Sequence, residues 1–382
     1  MKAYLSLSLL SLALAACRST AGPGAGLPDG YRLDQVDRVI QAAAEDMDSG
    51  ANPGLAFARL QLALETSGAE GDARLALETA RAEAGEAWLT ELVQTEAGHK
   101  EFEPLMNAEL PRSLAVRARV GQARALLIEG ERVKAYRAIR KMDQEFPFHA
   151  DRQAAGRVLF DAGMSLALDP RRYGLVFHYK TLAPEVLEYF TTSYFSGHWN
   201  LADGDPLIGP SRVLPDLQPS EFGPEAYRTL GALYWDDGDH ELAVQRLQDL
   251  IIYYGDSPLV LEARARIPEI RLESVQAVDH DRAPLETALI ELDQWLEDYP
   301  GRDVAMEERV QQNRLHALQQ LADHDRNVAR FYARVDNPEG AEYHGRLALD
   351  SARLGGSTEQ IEELETWLAE YLAEHSTGPM PQ

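Results

Sequence analysis

Residues 226–254 read AYRTLGALYWDDGDHELAVQRLQDLIIYY, and this stretch decides the fold. Apolar residues recur at helical spacing on both sides of the polar turn Asp237-Gly238-Asp239. The small residues Gly231 and Ala243 allow two antiparallel helices to approach closely, while larger apolar side chains fill the seam between them. The stretch therefore predicts a helical hairpin. Its signature residues are Tyr227, Leu230, Gly231, Tyr234, Ala243 and Leu247.

The same arrangement recurs in two other parts of the chain. One copy centres on Ala135, with the small residue Ala123 before a Glu-Gly-Glu turn, and the other centres on Ala341. In this last copy Gly345 stands where a large apolar residue is usual. The spacings are those of the tetratricopeptide repeat, and few clusters of β-branched residues interrupt them. We therefore predict an all-α fold, a tetratricopeptide-type helical repeat solenoid.

The first 17 residues resemble a bacterial lipoprotein signal. Lys2 supplies a positive charge, an apolar stretch follows, and Leu14-Ala15-Ala16-Cys17 matches a lipobox. The apolar run is shorter than the roughly 20 residues that cross a bilayer, so residues 1–16 are interpreted as a cleaved signal. The alternative is an ordinary secretory signal cut after a small residue. Because Cys17 is the single cysteine, we favour lipidation at Cys17, with acyl chains such as palmitate, and expect no disulfide.

The charge balance restricts the class of partner. The chain has 62 acidic and 37 basic residues, a formal net charge of −25. Phosphate groups are bound by clustered Lys and Arg, so this balance argues against nucleic acid or bare anionic lipid. We expect a basic or neutral partner surface. Alternatively, the acidic residues only maintain solubility or reflect a salt-adapted source.

The sequence contains no signature of a catalytic, cofactor-binding or metal-binding site. It lacks a phosphate-binding Gly-rich loop, a Gly-x-Ser-x-Gly motif, and Cys or His pairs at zinc spacing. Asp323-His324-Asp325 looks superficially like a set of metal ligands. Consecutive residues on a helix point in different directions, so we interpret this triplet as a solvated face. We expect neither an enzyme nor a cofactor.

The mature chain divides by composition into five segments. Residues 17–30 are rich in Gly and Pro and predict a flexible tether. Five prolines between 196 and 224 predict a long loop. For the aromatic residues before it we favour packing in a core over a partner-binding surface; they are Tyr189, Phe190, Tyr194, Phe195 and Trp199. The remaining segments are N-terminal helical repeats (31–165), the aromatic and Pro-rich part (166–224), further repeats (225–373) and a disordered tail (374–382).

From Glu225 to about Tyr371 the chain resembles the BamD family, tetratricopeptide lipoproteins of the outer-membrane β-barrel assembly machinery. The resemblance implies a location on the periplasmic face of the outer membrane. It also implies partners among β-barrel assembly components or unfolded outer-membrane proteins. Family members are usually shorter, so residues 31–145 are additional or strongly diverged helices. The segments that carry the resemblance are Ala226–Gly231, Tyr253–Pro258, Leu296–Pro300 and His324–Tyr332.

The resemblance further implies that the C-terminal repeats dock a partner. This stretch contains Arg326, Arg330, Arg334 and Arg346 within an otherwise acidic chain. The first three are spaced four apart and line one stripe of one helix. One hypothesis is that this stripe is a docking face. The alternative is that the arginines pair with acidic residues of neighbouring repeats. Two other functions stay open, an envelope scaffold for cell-wall or division proteins and a degenerate helical glycan hydrolase, which a deep acidic cleft would indicate.

Overall fold

The computed structural model describes residues 35–48, 52–169, 172–173, 177–194, 219–275 and 282–375. Within these residues the protein is all-α, apart from one pair of two-residue antiparallel strands, Arg172–Tyr173 and Phe177–His178. The predicted all-α helical repeat fold is thus confirmed. The chain forms two compact units, of which the first ends at Leu166 and the second begins at Ala167. Cys17, the tether and most of the predicted loop lie outside the described residues.

The first unit consists of helices that pack on their neighbours along the chain. The hairpins α1–α2, α2–α3 and α5–α6 each contain helices in contact, joined by short turns. Asn52 caps α2 through a hydrogen bond from the backbone N–H of Leu55 to its Oδ1. The helices are α1 (Val36–Asp48), α2 (Pro53–Thr66), α3 (Gly71–Gln94), α4 (Glu103–Asn107), α5 (Arg112–Ile128), α6 (Arg132–Glu145) and α7 (Arg152–Ala167), with a 3-10 helix (His99–Phe102) before α4.

Small residues allow close contact within this unit. Phe102 is buried, and a Cβ added at Gly121 of α5 would lie 2.6 Å from its ring. Phe102 therefore packs directly on the backbone of α5. The aromatic ring of Phe57 and the indole of Trp88 pack against each other with centroids 5.5 Å apart. These contacts form a core between α2, α3, α5 and the 3-10 helix.

The second unit continues the same construction with longer helices. Each helix from α8 to α14 contacts the next one along the chain. In addition, α11 contacts both α9 and α13. Asp239, Asp303 and Asn337 cap α10, α13 and α14, so polar turn residues define where these helices begin. The helices are α8 (Ala183–Ser193), α9 (Pro219–Asp236), α10 (His240–Tyr253), α11 (Leu259–Ser274), α12 (Ala283–Asp298), α13 (Val304–Arg334), α14 (Pro338–Gly355) and α15 (Thr358–His375), with a 3-10 helix (Tyr179–Leu182) before α8.

Residues 226–254, for which the sequence predicts a helical hairpin, lie in the hairpin of α9 and α10. A Cβ added at Gly231 would lie 2.8 Å from Cγ of Leu247 and 3.4 Å from the carbonyl oxygen of Ala243. The two helices therefore meet closely at this glycine, as the spacing predicts. Tyr227, Leu230, Ala243 and Leu247 are buried in the seam, while Tyr234 is half-buried.

The prediction of a loop from 196 to 224 is wrong for its last six residues. Helix α9 begins at Pro219 and includes Pro224. Proline fits the first turn of a helix because its N–H would have no partner there, and its fixed φ suits the helix. Pro224 removes one backbone hydrogen bond, but it and Gly223 are buried, and Gly223 lies directly against Tyr254.

Two of the aromatic residues before the predicted loop belong to the core, as expected, whereas Tyr189 is half-buried. Phe190 is fully buried and Tyr194 nearly so, both near the end of α8. Arg246 of α10 donates a hydrogen bond of 2.6 Å to Glu188, which also accepts one of 2.9 Å from the hydroxyl of Tyr234. These bonds hold α8 on the α9–α10 hairpin. Phe195 and Trp199 lie outside the described residues.

Within the described part of the chain, no helix combines the length and the apolar character needed to cross a bilayer.

Candidate protein-binding site

The candidate site lies at the end of the second unit, where α13 and α15 both pack on α14. Gly345 of α14 allows α15 to pack closely on α14. A Cβ added there would lie 2.9 Å from Leu368 and 3.0 Å from the ring of Trp367, both on α15. Trp367 therefore occupies the space that a large residue at position 345 would fill in a regular repeat. As a result, α15 lies close to α14 and presents its indole toward α13.

Between α13 and α15 lies an open groove with a volume of about 910 Å³. One wall is the last two turns of α13, and Trp367 of α15 forms the other. Phe331, which is 51% exposed, and the half-buried Tyr332 make the α13 wall aromatic. The charged residues that line the groove are Arg330 and Arg334. The groove thus combines exposed aromatic surface with positive charge.

The three arginines predicted as a stripe lie on α13 and have different partners. Arg326 lies 3.3 Å from Glu363 of α15 and 2.9 Å from Asp323. Arg330 donates a hydrogen bond of 2.6 Å to Glu363 as well. For these two arginines the alternative reading is correct, because they pair with an acidic residue on the neighbouring hairpin. Glu363 bridges the two helices at one end of the groove.

Arg334 differs from the other two arginines. Its Nε lies 3.3 Å from the backbone carbonyl oxygen of Arg330 and donates a hydrogen bond to it. Among the residues that the structure describes, no carboxylate forms an ion pair with Arg334. Arg334 ends α13, where the partial negative charge of the helix C-terminus favours a cation. Its guanidinium therefore lies beside the groove with most of its donors available.

The interpretation of Asp323-His324-Asp325 as a solvated face is wrong. Asp325 is fully buried and His324 is only 7% exposed. Helix α13 packs on both α12 and α14, so consecutive residues that point in different directions can both be buried. Asp323 alone of the three is substantially exposed.

Asp325 forms the base of a chain of contacts that reaches the groove. His344 of α14 donates a hydrogen bond of 2.9 Å from Nδ1 to Oδ1 of Asp325, and Arg282 before α12 lies 3.5 Å from Oδ2. The imidazole of His344 stacks on the ring of Tyr332, with centroids 5.6 Å apart and planes inclined by 13°. Tyr332 lines the groove. The buried carboxylate therefore fixes an aromatic residue of the groove wall through His344.

A second stack supports the opposite wall. The ring of Tyr371 stacks on the indole of Trp367 with centroids 5.5 Å apart, and the imidazole of His375 stacks on Tyr371 at 4.1 Å. Burial raises the pKa of the Tyr371 hydroxyl, and the carboxylate of Asp336 raises it further. The tyrosine therefore stays neutral and supports the indole from behind.

Other candidate residues lie elsewhere. The signature residues of the α9–α10 hairpin serve packing, and burial raises the pKa of the Tyr234 hydroxyl to about 12, with a further contribution from Glu188. Arg346 pairs within α14 with Glu342 at 2.6 Å, outside the groove. In the described ranges, no three His, Cys, Asp or Glu side chains are grouped so as to hold a metal ion.

Sequence reasoning missed Trp367, Phe331 and Glu363 as members of one site. Phe331 belongs to the segment that resembles the BamD family, and no motif includes Trp367 or Glu363. The one feature of the sequence that indicates this site is Gly345, which stands where a large apolar residue is usual. A missing large side chain in one helix of a repeat predicts that a large side chain of the next helix fills the space.

The fold and the groove together define a helical repeat protein with an exposed aromatic and basic surface between two helices. No family model matches the sequence, and no curated protein matches it. Among solved structures, one similar chain is a circular tandem repeat protein with novel repeat topology and enhanced subunit contact surfaces. The match covers 89% of this chain and 76% of that one, at 13% identity and a TM-score of 0.20. The fold class therefore rests on the helix packing itself.

Proposed function

We propose that this protein is a lipid-anchored scaffold that binds other proteins at the periplasmic face of the outer membrane, in the assembly of β-barrel proteins. The observation that carries the protein-binding part is the groove between α13 and α15, where Phe331 and Trp367 lie beside Arg330 and Arg334. Aromatic residues and arginine are the side chains that contribute most to protein interfaces. The lipobox at Cys17 supports the anchor, and the resemblance to the BamD family supports the pathway.

The mechanism is binding without a chemical step. Consecutive helical hairpins hold the groove walls in fixed positions, so little conformational entropy is lost when a partner docks. Acyl chains on Cys17, at about 0.8 kcal/mol for each buried methylene, would keep the protein on the membrane. The anchor confines the search for membrane partners to a plane and raises the effective concentration of the groove.

Site-specific photo-crosslinking in native membranes tests the proposal. A photoreactive amino acid replaces Phe331 in the full chain, and captured proteins are identified by mass spectrometry. The matched control carries the same amino acid at Val304, which is 67% exposed at the other end of α13. We expect position 331 to capture components of a β-barrel assembly machinery and position 304 not to do so.

Two other outcomes would change the proposal. Capture of cell-wall or division proteins at position 331 would keep the scaffold and replace the pathway. Equal capture at positions 331 and 304, or no capture at either, would contradict protein binding in the groove.

A further inference from the structure

We propose that the groove binds a partner segment in which a carboxylate stands beside an aromatic or aliphatic side chain, an inference that rests on the proposed protein-binding function. The charges lining the groove carry it. Both charged lining residues are arginines, and no carboxylate lines the groove within the described part of the chain. Glu363 neutralises Arg330, so in a protein of net charge −25 it is the charge of Arg334, which forms no ion pair in the described part of the chain, that would select an acidic segment.

The two arginines are prepared for this role in different ways. Glu363 holds Arg330 in place through one hydrogen bond of 2.6 Å, so its guanidinium is already oriented. Arg334 makes one hydrogen bond, to a backbone carbonyl, and keeps the fork of its two terminal nitrogens for a ligand. A guanidinium fork matches a carboxylate by two parallel hydrogen bonds. Arg334 is therefore the group that would receive the partner's carboxylate.

The neighbouring aromatic surface sets the rest of the partner's chemistry. Phe331 is 51% exposed and Trp367 faces it across the groove. An exposed aromatic surface of this kind gains free energy when an apolar side chain covers it. Because Arg334 follows Phe331 by less than one helical turn, both can contact adjacent residues of one extended peptide. The carboxylate and the apolar side chain should therefore be neighbours in the partner sequence.

The overall negative charge does not prevent this binding. At physiological ionic strength charges are screened beyond about 8 Å, so acidic residues far from the groove act weakly there. The carboxylate of Glu363, beside the groove, is already paired with Arg326 and Arg330. The expectation of a basic or neutral partner surface concerns the remainder of the interface. The partner segment that binds in the groove is expected to be acidic.

A defined peptide tests this chemistry. The probe is a ten-residue fluorescent peptide with blocked ends, in which Asp and Glu stand next to Phe and Leu, and its binding to the full chain in detergent is followed by fluorescence anisotropy. We expect Arg334→Glu to weaken binding at least about tenfold, and Phe331→Ala to weaken it several-fold. A peptide with Lys in place of the acidic residues should bind at least about tenfold more weakly than the probe.

The matched control is Arg302→Glu, which reverses an exposed arginine before the other end of α13 and should leave binding unchanged. Circular dichroism checks folding, and Arg334→Gln replaces Arg334→Glu if the latter unfolds. Failure of the wild-type chain to bind the probe at about 1 mM, or equal binding by Arg334→Glu or of the lysine peptide, would overturn the proposal.

Photo-crosslinking at Trp367 with and without Arg334→Glu separates this inference from the proposed function. Capture of envelope proteins that Arg334→Glu does not reduce would disprove the acidic-segment inference and leave the scaffold function standing. Absence of any capture by the wild-type chain would disprove both.

Discussion

At the scale of single residues, Gly231 shows how packing can reverse a helix preference. Helix propensity alone predicts that Gly231→Ala is stabilising by up to about 1 kcal/mol. In the structure an added Cβ would lie 2.8 Å from Cγ and 2.9 Å from Cδ2 of Leu247, which is 3% exposed. Because Leu247 is itself surrounded, it cannot move away freely. The net effect of the added methyl should therefore be unfavourable.

We expect Gly231→Ala to lower the free energy of unfolding by about 1 to 3 kcal/mol, because it overpacks the seam. In the background of Leu247→Ala the contact is gone, and Gly231→Ala should then be neutral or stabilising. A double-mutant cycle by urea denaturation measures this coupling. Additive effects of the two substitutions would contradict the close contact between α9 and α10.

The burial of Asp325 decides how much stability the protein loses when this residue is replaced. Asp325→Ala removes a buried carboxylate and leaves Arg282 and His344 without their shared acceptor. We expect a loss of about 3 to 5 kcal/mol, as is typical when one partner of a buried ion pair is removed. The control Asp323→Ala, at a 33% exposed carboxylate that pairs with Arg326, should cost less than about 1 kcal/mol. Similar falls of the melting temperature in the two variants would contradict this account.

At the scale of secondary structure, the 3-10 helix and α4 of the first unit depend on polar contacts from their neighbours. Arg81 of α3 donates hydrogen bonds to Gln61 of α2 and to the backbone carbonyl of Glu109 after α4. Glu129, at the end of α5, accepts a hydrogen bond of 2.9 Å from the backbone N–H of His99. These contacts position a segment too short to be stable as isolated helices.

The Glu129 contact predicts a pH dependence. The backbone hydrogen bond from His99 lowers the pKa of Glu129 below its ordinary value. A carboxylate with a lowered folded-state pKa stabilises the fold above its unfolded-state pKa, and this contribution is lost as the pH falls through the folded-state value. Protection of residues 97–110 from hydrogen exchange should therefore fall below about pH 4.5 in the wild type.

Glu129→Gln should reduce this protection at pH 7 and remove most of its acid dependence. Glu131→Gln is the control, since Glu131 pairs only with Lys134 in the same turn among the described contacts. Identical pH profiles of the wild type and Glu129→Gln, after correction for intrinsic exchange, would show that the contact does not anchor the segment.

The sequence predicted the hairpins well where local signals are strong. The turns around Gly130 and Gly238 separate helices as expected, because glycine adopts the positive φ that these turns require. The start of α9 was missed because a run of prolines usually indicates a loop, whereas here the turn is helical and Gly223 packs against Tyr254. The groove was not predictable, since it depends on how Trp367 of one helix fits Gly345 of another.

At the scale of the whole molecule, the chain forms two compact units, and its first 17 residues resemble a lipoprotein signal. The described helices include none that could cross a bilayer. The proposed function places the attachment to the membrane at Cys17, on the grounds of the lipobox. Since Cys17 is the single cysteine, one substitution tests this assignment without affecting any other thiol.

We expect Cys17→Ser to move the protein from the membrane to the soluble fraction, or to leave an uncleaved precursor, because no acyl chains can be added. Radioactive palmitate incorporation and membrane fractionation measure the two effects. The control Ser19→Ala, two residues further on, should incorporate palmitate as the wild type does. Membrane retention and labelling of Cys17→Ser equal to those of the wild type would contradict the anchor.

The packing of most described helices on their neighbours along the chain has a consequence for how the protein acquires its structure. Contacts between residues close in sequence require little loop closure, so folding should be fast for a chain of this length. Each hairpin can form as soon as its own two helices are available, and the next can add to it. A chain that leaves a translocation channel from its N-terminus would therefore bury its apolar faces progressively. In the export that the proposed function requires, this order would keep the exposed apolar surface, and with it the risk of aggregation, small.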